Sequence, residues 1–374
     1  YKRQLETYPA TNFGDFFIGQ GVKVSDVARQ HDVFIQNEIQ EKTSEFGYQD
    51  ALTRPLSELE QVFGVTEDNI STDIDNFFDS LHELSANPSD LVQRNNVLLQ
   101  GNVLSTSFNN IITDLDSIKN NINDTIVSEV NGINSQLQEI ADLNDRIYRI
   151  EVHGQTAYSA RDERDMVIKG LGETLGAETY ETENGMVSVQ LPGGLPLVEG
   201  TMAMSITADT TGSDLVLQLH AGGVTRDLGL KSLGGQFKGL VEMRDSFIPE
   251  LEADVDKLAY ELSVQVNNQH MAGGALDSTT NNLFFNMPPN YVQSPPAPAP
   301  TATEYAEAAR NISVVITDPR KIAAAEAPTT AGDSIAVGDN RNALTLANIG
   351  ANYLIDGIDN FNSLYGQITA KVGV

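Results

Sequence analysis

From Leu104 to Ile147 the apolar residues of this chain return at steps of four and three. The positions are Leu104, Phe108, Ile111, Leu115, Ile118, Ile122, Ile126, Val130, Ile133, Leu137, Ile140, Asn144 and Ile147. Such alternation keeps one narrow stripe on one side of an α-helix, which is the seam of a coiled coil. An extra step of four between Ile122 and Val130 reads as a stutter that locally unwinds the supercoil. Asn, Asp, Ser, Gln and Glu fill the positions between, so the other faces are solvated. The spacing predicts a helix about 65 Å long at about 1.5 Å per residue. One stripe cannot form a core alone, so this helix needs partners along its length.

The same chain supplies them. From Phe237 the apolar positions are Leu240, Phe247, Leu251, Val255, Leu258, Leu262 and Val266, with Pro249 expected to interrupt the helix or start its second half. From Ala347 the series Ala351, Leu354, Ile358, Phe361, Tyr365, Ile368 and Val372 predicts one last helix. It is still running at the final residue, which reads as a truncation. The expected packing seam therefore adds Leu251, Leu258, Leu354, Ile358, Phe361 and Ile368 to the stripe of the long helix. Upstream, residues 1–21 read as an extended segment. A helical stretch is expected from about Asp26, through Val27, Phe34, Ile39, Phe46, Leu52, Leu56, Leu59 and Phe63. A kink or break is expected at Pro55 and a stop at Gly64. A short helix over Ile70–Leu84 ends before Asn87-Pro88, and Ser89 and Asp90 stand where the cap of the long helix belongs.

Residues 179–228 have a different texture, alternating at period two. Strands are predicted at Met186–Leu191, Met202–Thr207 and Leu215–His220, joined by the turn sequences Asn184-Gly185 and Pro192-Gly193-Gly194. Arg161–Leu175 ahead of them reads as a helix, and Ile312–Thr317 as a short strand before an Ala-rich turn or helix. The predicted class is α+β, an elongated bundle of long coiled-coil-like helices with an inserted antiparallel β domain. The helical part is discontinuous, at 1–158 and 236–374. The β domain with its leading helix spans 159–235. A Pro-rich loop, 287–303, lies within the second helical part.

Charge excludes several functions. The 52 acidic and 23 basic residues give a net charge of −29. Phosphate binding needs a basic stripe, so nucleic acid is not an expected partner, and anionic lipid is disfavoured too. The bland reading is a surface that keeps copies dispersed; the sharper one is a divalent-cation site. No run of about 18 apolar residues suits a membrane span. The absence of Cys rules out disulfides and thiolate metal sites. Tyr1 is followed by no secretion-signal pattern, so the sequence reads as an internal fragment or one whose leader has been removed.

Catalytic signals are missing. No two of His31, His82, His153, His220 and His270 stand at zincin spacing. Gly229-Leu230-Lys231-Ser232-Leu233-Gly234 has one residue too many for a nucleophile elbow. Asp73, Asp75 and Asp79 lack the Gly and terminal Glu of a calcium loop. The run Arg161-Asp162-Glu163-Arg164-Asp165 reads as a solvated helix face with local ion pairs. No catalytic, cofactor or metal site is assigned, and no enzyme is expected.

Seven stretches, in order along the chain, resemble the flagellar hook-associated protein 1 family. They are Tyr1-Lys2-Arg3-Gln4; Gly19–Val24 leading to Asp32-Val33-Phe34-Ile35; Leu84–Asp90; Gln136–Ile147; Ala160–Leu175; Leu233-Gly234-Gly235 with Arg244-Asp245; and Val315–Ala325 followed by Gly338–Leu344. The resemblance implies a ring-forming structural subunit between hook and filament, secreted through the flagellar export apparatus to the outside of the cell. Implied neighbours are the hook protein and hook-associated protein 3, with an export chaperone bound through a C-terminal helix beyond Val374. The family's terminal helices lie outside this sequence, so the fragment itself is expected to be monomeric. Flagellin or a hook-associated protein 3-like subunit, or a secreted adhesin whose β domain binds a surface ligand, remain the alternatives.

Overall fold

The computed structural model describes residues 2–7, 11–13, 16–18, 21–28, 33–64, 69–182, 185–210, 215–292, 300–328, 334–352, 355 and 357–373. Four short strands come first: β1 (Lys2–Thr7), β2 (Thr11–Phe13), β3 (Phe16–Ile18) and β4 (Val22–Ala28). Three helices follow, α1 (Val33–Phe63), α2 (Ile70–Ala86) and α3 (Leu91–Glu151), then α4 (Tyr158–Leu175). Seven strands come next: β5 (Glu178–Glu181), β6 (Val187–Leu191), β7 (Leu195–Glu199), β8 (Met202–Ala203), β9 (Ser205–Asp209), β10 (Val216–Ala221) and β11 (Val224–Asp227). Helices α5 (Gly235–Glu242) and α6 (Ile248–Ala272) are joined by a π-helical turn at Met243–Phe247. The remainder holds β12 (Gly273–Gly274), α7 (Ala302–Tyr305), α8 (Ala308–Asn311), β13 (Ala325–Glu326), α9 (Arg341–Ile349) and α10 (Phe361–Val372).

The chain divides into two compact units. One is Tyr1–Ala51 with Ile126–Leu240; the other is Leu52–Thr125 with Val241–Val374. The partition thus differs from the 159–235 insertion read from the sequence, because the second half of α3 and the first half of α1 belong with the strands. In the first unit β1 pairs antiparallel with β4, and β2 with β3. Strands β5-β6-β7-β8 form one antiparallel sheet and β11-β10-β9 another. Val187, Val189, Leu191, Leu197, Ile206, Leu217 and Leu219 are buried on them, and Ile133, Leu137, Ile140 and Ile147 of α3 are buried in the same unit.

Glycines bring three backbones of this unit together. α4 ends at Gly176 in the left-handed conformation, φ +67°, which costs glycine little. The Gly234 amide donates to Leu175 O at 2.8 Å, and the Gly235 amide to Ser44 Oγ at 3.0 Å. A Cβ on Gly47 would collide with the Glu173 carbonyl. Gly47→Val should therefore push α1 off α4 and cost about 1–3 kcal/mol, read as a lower urea midpoint; an unchanged midpoint would contradict this packing.

The second unit packs α2 against α9 and α10, and α6 against α8, α9 and α10. Its centre is aromatic. Phe77 lies 5.2 Å from Phe78, 5.4 Å from Phe284 and 5.7 Å from Phe285, and Phe78 stacks on Phe361 at 5.8 Å. Asp90 Oδ1 accepts from the Val92 amide at 2.7 Å at the start of α3, as its position before the periodic run suggests.

Several expectations are corrected. Asp26 and Val27 lie in β4, paired with β1, so α1 starts at Val33. On α1, Phe34, Ile39 and Phe46 are exposed while Leu59 and Phe63 are buried. α1 runs through Pro55 without a break. A proline removes one amide, and the packed Leu59–Phe63 end holds the helix beyond it. The run from Ala347 is two helices, not one. Gly350 lies against the Phe78 ring, and Asn360 starts a new helix by accepting from the Ser363 amide at 2.8 Å. Ile358 sits in the intervening turn, 71% exposed, and so is not a packing position. Leu354 and residues 293–299 of the Pro-rich stretch lie outside the described residues. Ile312–Thr317 is not a strand; it makes an isolated bridge, Val314 to Phe285. Pro249 stands in the first turn of α6, directly after the π turn, so it opens the second half of this helical stretch.

Candidate functional site

The long helix carries two kinds of feature: buried positions and polar clamps. Leu104, Phe108, Ile111, Leu115, Ile118, Ile122, Ile126, Val130, Ile133, Leu137, Ile140 and Ile147 are all buried, as are Leu251, Leu258, Phe361 and Ile368. Asn144 interrupts this stripe and is fully buried. Its Nδ2 donates to Val187 O at 2.8 Å and Gly200 O at 2.6 Å, while its Oδ1 accepts from the Val187 amide at 3.1 Å and from Arg164 Nη1 at 2.9 Å. Ten residues earlier, Asn134 binds both backbone groups of Ile206, each at 2.8 Å. Two amides thus pin one helix to the β5-β6-β7-β8 sheet and to the β9-β10-β11 sheet. A buried polar group must be bonded, so these contacts fix the register of helix against strand.

Arg164 and Arg161 overturn the solvated reading of their charge run. Arg164 is 2% exposed and also donates to Gly185 O at 2.9 Å. Arg161 reaches Glu151 at 2.8 Å and Glu181 at 2.7 Å, tying the end of α3 and strand β5 to α4. The hydrogen bond from Arg161, helped by the Ala157 amide, holds the Glu151 carboxyl below its ordinary range. The ion pairs of Arg161 are therefore long in sequence separation.

In the second unit, buried side chains hold irregular backbone. Arg94 is 2% exposed and donates to Pro88 O at 2.8 Å and Ile322 O at 2.7 Å. Asn267 donates to Phe285 O at 3.0 Å and accepts from the Phe284 and Phe285 amides, each at 2.9 Å. Asn342 donates to Ala323 O at 2.6 Å. Arg244 binds Asn123 and Asp245. His270 is fully buried between Asn282 O at 2.7 Å from Nδ1 and the Ala323 amide at 2.9 Å from Nε2. An amide must donate, so Nε2 accepts, Nδ1 carries the proton and the ring is neutral.

Burial pushes the His270 pKa down to about 4 from 6.5, with Arg94 adding to the shift. A depressed pKa stabilises the fold fully above pH 6.5, and that contribution of about 3 kcal/mol is lost as pH falls from 6.5 to about 4. Half-buried Glu252 and Asp256, whose pKa values are raised by desolvation, act with the opposite sign. The clean test is a difference. His270→Gln keeps one donor and one acceptor without a titrating ring. Its urea midpoint should fall less between pH 7 and pH 4.5 than that of the wild-type chain; equal falls would contradict the assignment.

Chemistry-bearing groups are otherwise dispersed. Among the described residues no group of three His, Cys, Asp or Glu side chains is placed to hold a metal ion, and no helix is long and apolar enough to cross a membrane. His82 and His153 are exposed, His220 bonds Thr207 and Thr225, and His31 lies outside the described residues. Ser232 stands in a short 3-10 turn. Asp73 and Asp75 accept from Ser107 and Asn362, each a link to another helix. An open concavity of about 670 Å³ between α3 and α4 is lined by Asn134, Gln138, Glu139, Asp142, Arg146 and Glu163, among others.

The clamps were the residues least visible in the sequence. Asn144 had one signal, a polar residue at an apolar seam position. Asn134, Asn267 and Asn342 had none, because their partners are backbone groups that the fold brings from elsewhere.

Comparison with known proteins places this arrangement. The model of the flagellar hook-associated protein FlgK helical domain matches residues 56–285, more than half of the chain. Flagellar hook-associated protein 1 of Escherichia coli (strain K12) is 25% identical over 276 residues, covering 72% of this chain and 50% of that protein. The Bacillus subtilis (strain 168) protein of the same name is 24% identical over 296 residues, covering 72% and 58%. The chain thus spans about half the length of the curated relatives it matches. A solved structure, the flagellar hook junction protein FlgK from Burkholderia pseudomallei, superposes with a TM-score of 0.77 over 90% of this chain and 95% of that one at 16% identity, which shows a shared α+β fold. A helical domain that fits the family model through α2, α3 and strands β5–β11 makes this chain a member of the flagellar hook-associated protein FlgK family.

Proposed function

We propose that this chain is the body of a non-enzymatic structural subunit at the junction between hook and filament of a bacterial flagellum. The observation that carries the proposal is the family match over residues 56–285, which takes in the clamped helix α3 and the strands it holds. The clamps suit a load-bearing part, because buried amide and guanidinium bonds resist sliding of helix over sheet. In this reading the subunit is exported, stands outside the cell, and assembles with copies of itself, the hook protein and hook-associated protein 3. The buried seam of α3, with Leu251, Leu258, Phe361 and Ile368, serves as internal packing that keeps each unit rigid. No cofactor or nucleic acid takes part. The hook-associated protein 1 relatives favour this reading over flagellin or hook-associated protein 3.

Deleting the gene from a motile strain tests it. Electron microscopy should show bare hooks, with flagellin monomer in the medium. Normal filaments on the deleted strain would overturn the proposal.

A further inference from the structure

The first six turns of α3 carry a second stripe opposite the buried one. Val92, Asn95, Leu99, Val103, Thr106 and Asn110 are all exposed, at steps of three, four, four, three and four. Val92 is 73% and Leu99 58% exposed. Steps of three and four put them on one face of the helix, the spacing that another helix reads. Between Leu91 and Thr113 the one charged residue is Arg94, and its guanidinium is buried inward. The continuation of the same helix is quite different, with Asp114, Asp116, Lys119, Asp124 and Glu129 in quick succession.

Two polar side chains of the stripe, Asn95 and Thr106, and Asn102 beside it are bonded back to the helix. Asn95 Nδ2 donates to Leu91 O at 2.8 Å, Asn102 Nδ2 to Leu98 O at 2.7 Å, and the Thr106 hydroxyl to Asn102 O at 2.8 Å. A face whose side-chain donors are bonded back to their own helix loses less on leaving water than one whose donors depend on water. The stripe therefore combines exposed Val and Leu with polar side chains that tolerate burial.

We propose that this charge-free face of α3 is where a helix of a second copy of this chain packs, an inference that rests on reading the chain as an assembling subunit. Charge selects the occupant. A basic partner would be drawn to the acidic faces, because opposite potentials steer encounter. A copy of this chain carries −29 itself and is repelled wherever acidic faces meet. It meets least repulsion over surface without charge, and no residue of this stripe is charged.

The test puts a photo-crosslinking amino acid at position 99 of the full subunit in motile cells and reads the product by mass and antibody. The expected product has twice the subunit mass, contains only this chain, and is at least tenfold stronger than the product from the same residue at Asp142 on the acidic part of α3. A product with a different protein, or none above the Asp142 control, would overturn the inference. A paired variant, Leu99→Asp with Val103→Asp, separates this inference from the junction reading. Both side chains are exposed, so its melting curve should match wild type, while filament-bearing cells fall at least tenfold. Full filaments from this variant, in a strain that loses them on deletion, would sink the docking face and leave the junction role standing.

Discussion

Asn144→Leu should unfold the strand-bearing unit or lower its stability by about 4 kcal/mol or more. Leucine fills a similar volume, so the loss is polar rather than steric. It leaves the Val187 amide, the Val187 and Gly200 carbonyls and one arm of Arg164 without the partner they have now. Each buried group so stranded costs about 1–3 kcal/mol, and a charged one more. Asn131→Leu, at an exposed position of the same helix, should stay within about 0.5 kcal/mol of wild type. Urea unfolding with hydrogen exchange read at Val187 distinguishes the two. A loss below about 1 kcal/mol for Asn144→Leu would mean that the clamp does not hold helix to sheet.

Phe77→Ala should cost the second unit about 3–5 kcal/mol. Phe77 is fully buried, and its ring meets Phe78, Phe284 and Phe285 within 5.7 Å. Three aromatic neighbours cannot all relax into the space a ring leaves. Phe77 lies on α2 and Phe284 and Phe285 on the irregular segment after α6, so the cavity would loosen the seat of that segment as well. Phe77→Ala and Phe284→Ala should couple, losing less together than the sum of the two, because each removes part of the same contact. Strict additivity in calorimetry would contradict the cluster.

Periodicity made much of this fold legible. The four-three rhythm of Leu104–Ile147 foretold α3, and alternation with Gly-rich turns foretold β6, β9 and β10. It failed where a local interruption costs the pattern nothing. Ala347, Phe361 and Ile368 keep helical spacing across a turn, because Gly350 must pass the Phe78 ring and Asn360 can cap a fresh start. Val22–Ala28 alternates weakly, and its last residues, from Asp26, read as the start of the helix that follows. The charge run at Arg161–Asp165 looked solvated because sequence does not reveal that Glu151, Glu181 and Asn144 converge on its two arginines. His270 was visible as a residue and invisible as a bridge, since its partners, Asn282 O and the Ala323 amide, arrive through a long segment with little regular structure.

The junction role is tested most directly by where the subunit stands on an intact flagellum. Antibody raised against this chain, imaged with gold on detached hook–filament structures, should mark one narrow band between hook and filament. Label running along the filament, or absent from that band, would contradict the account.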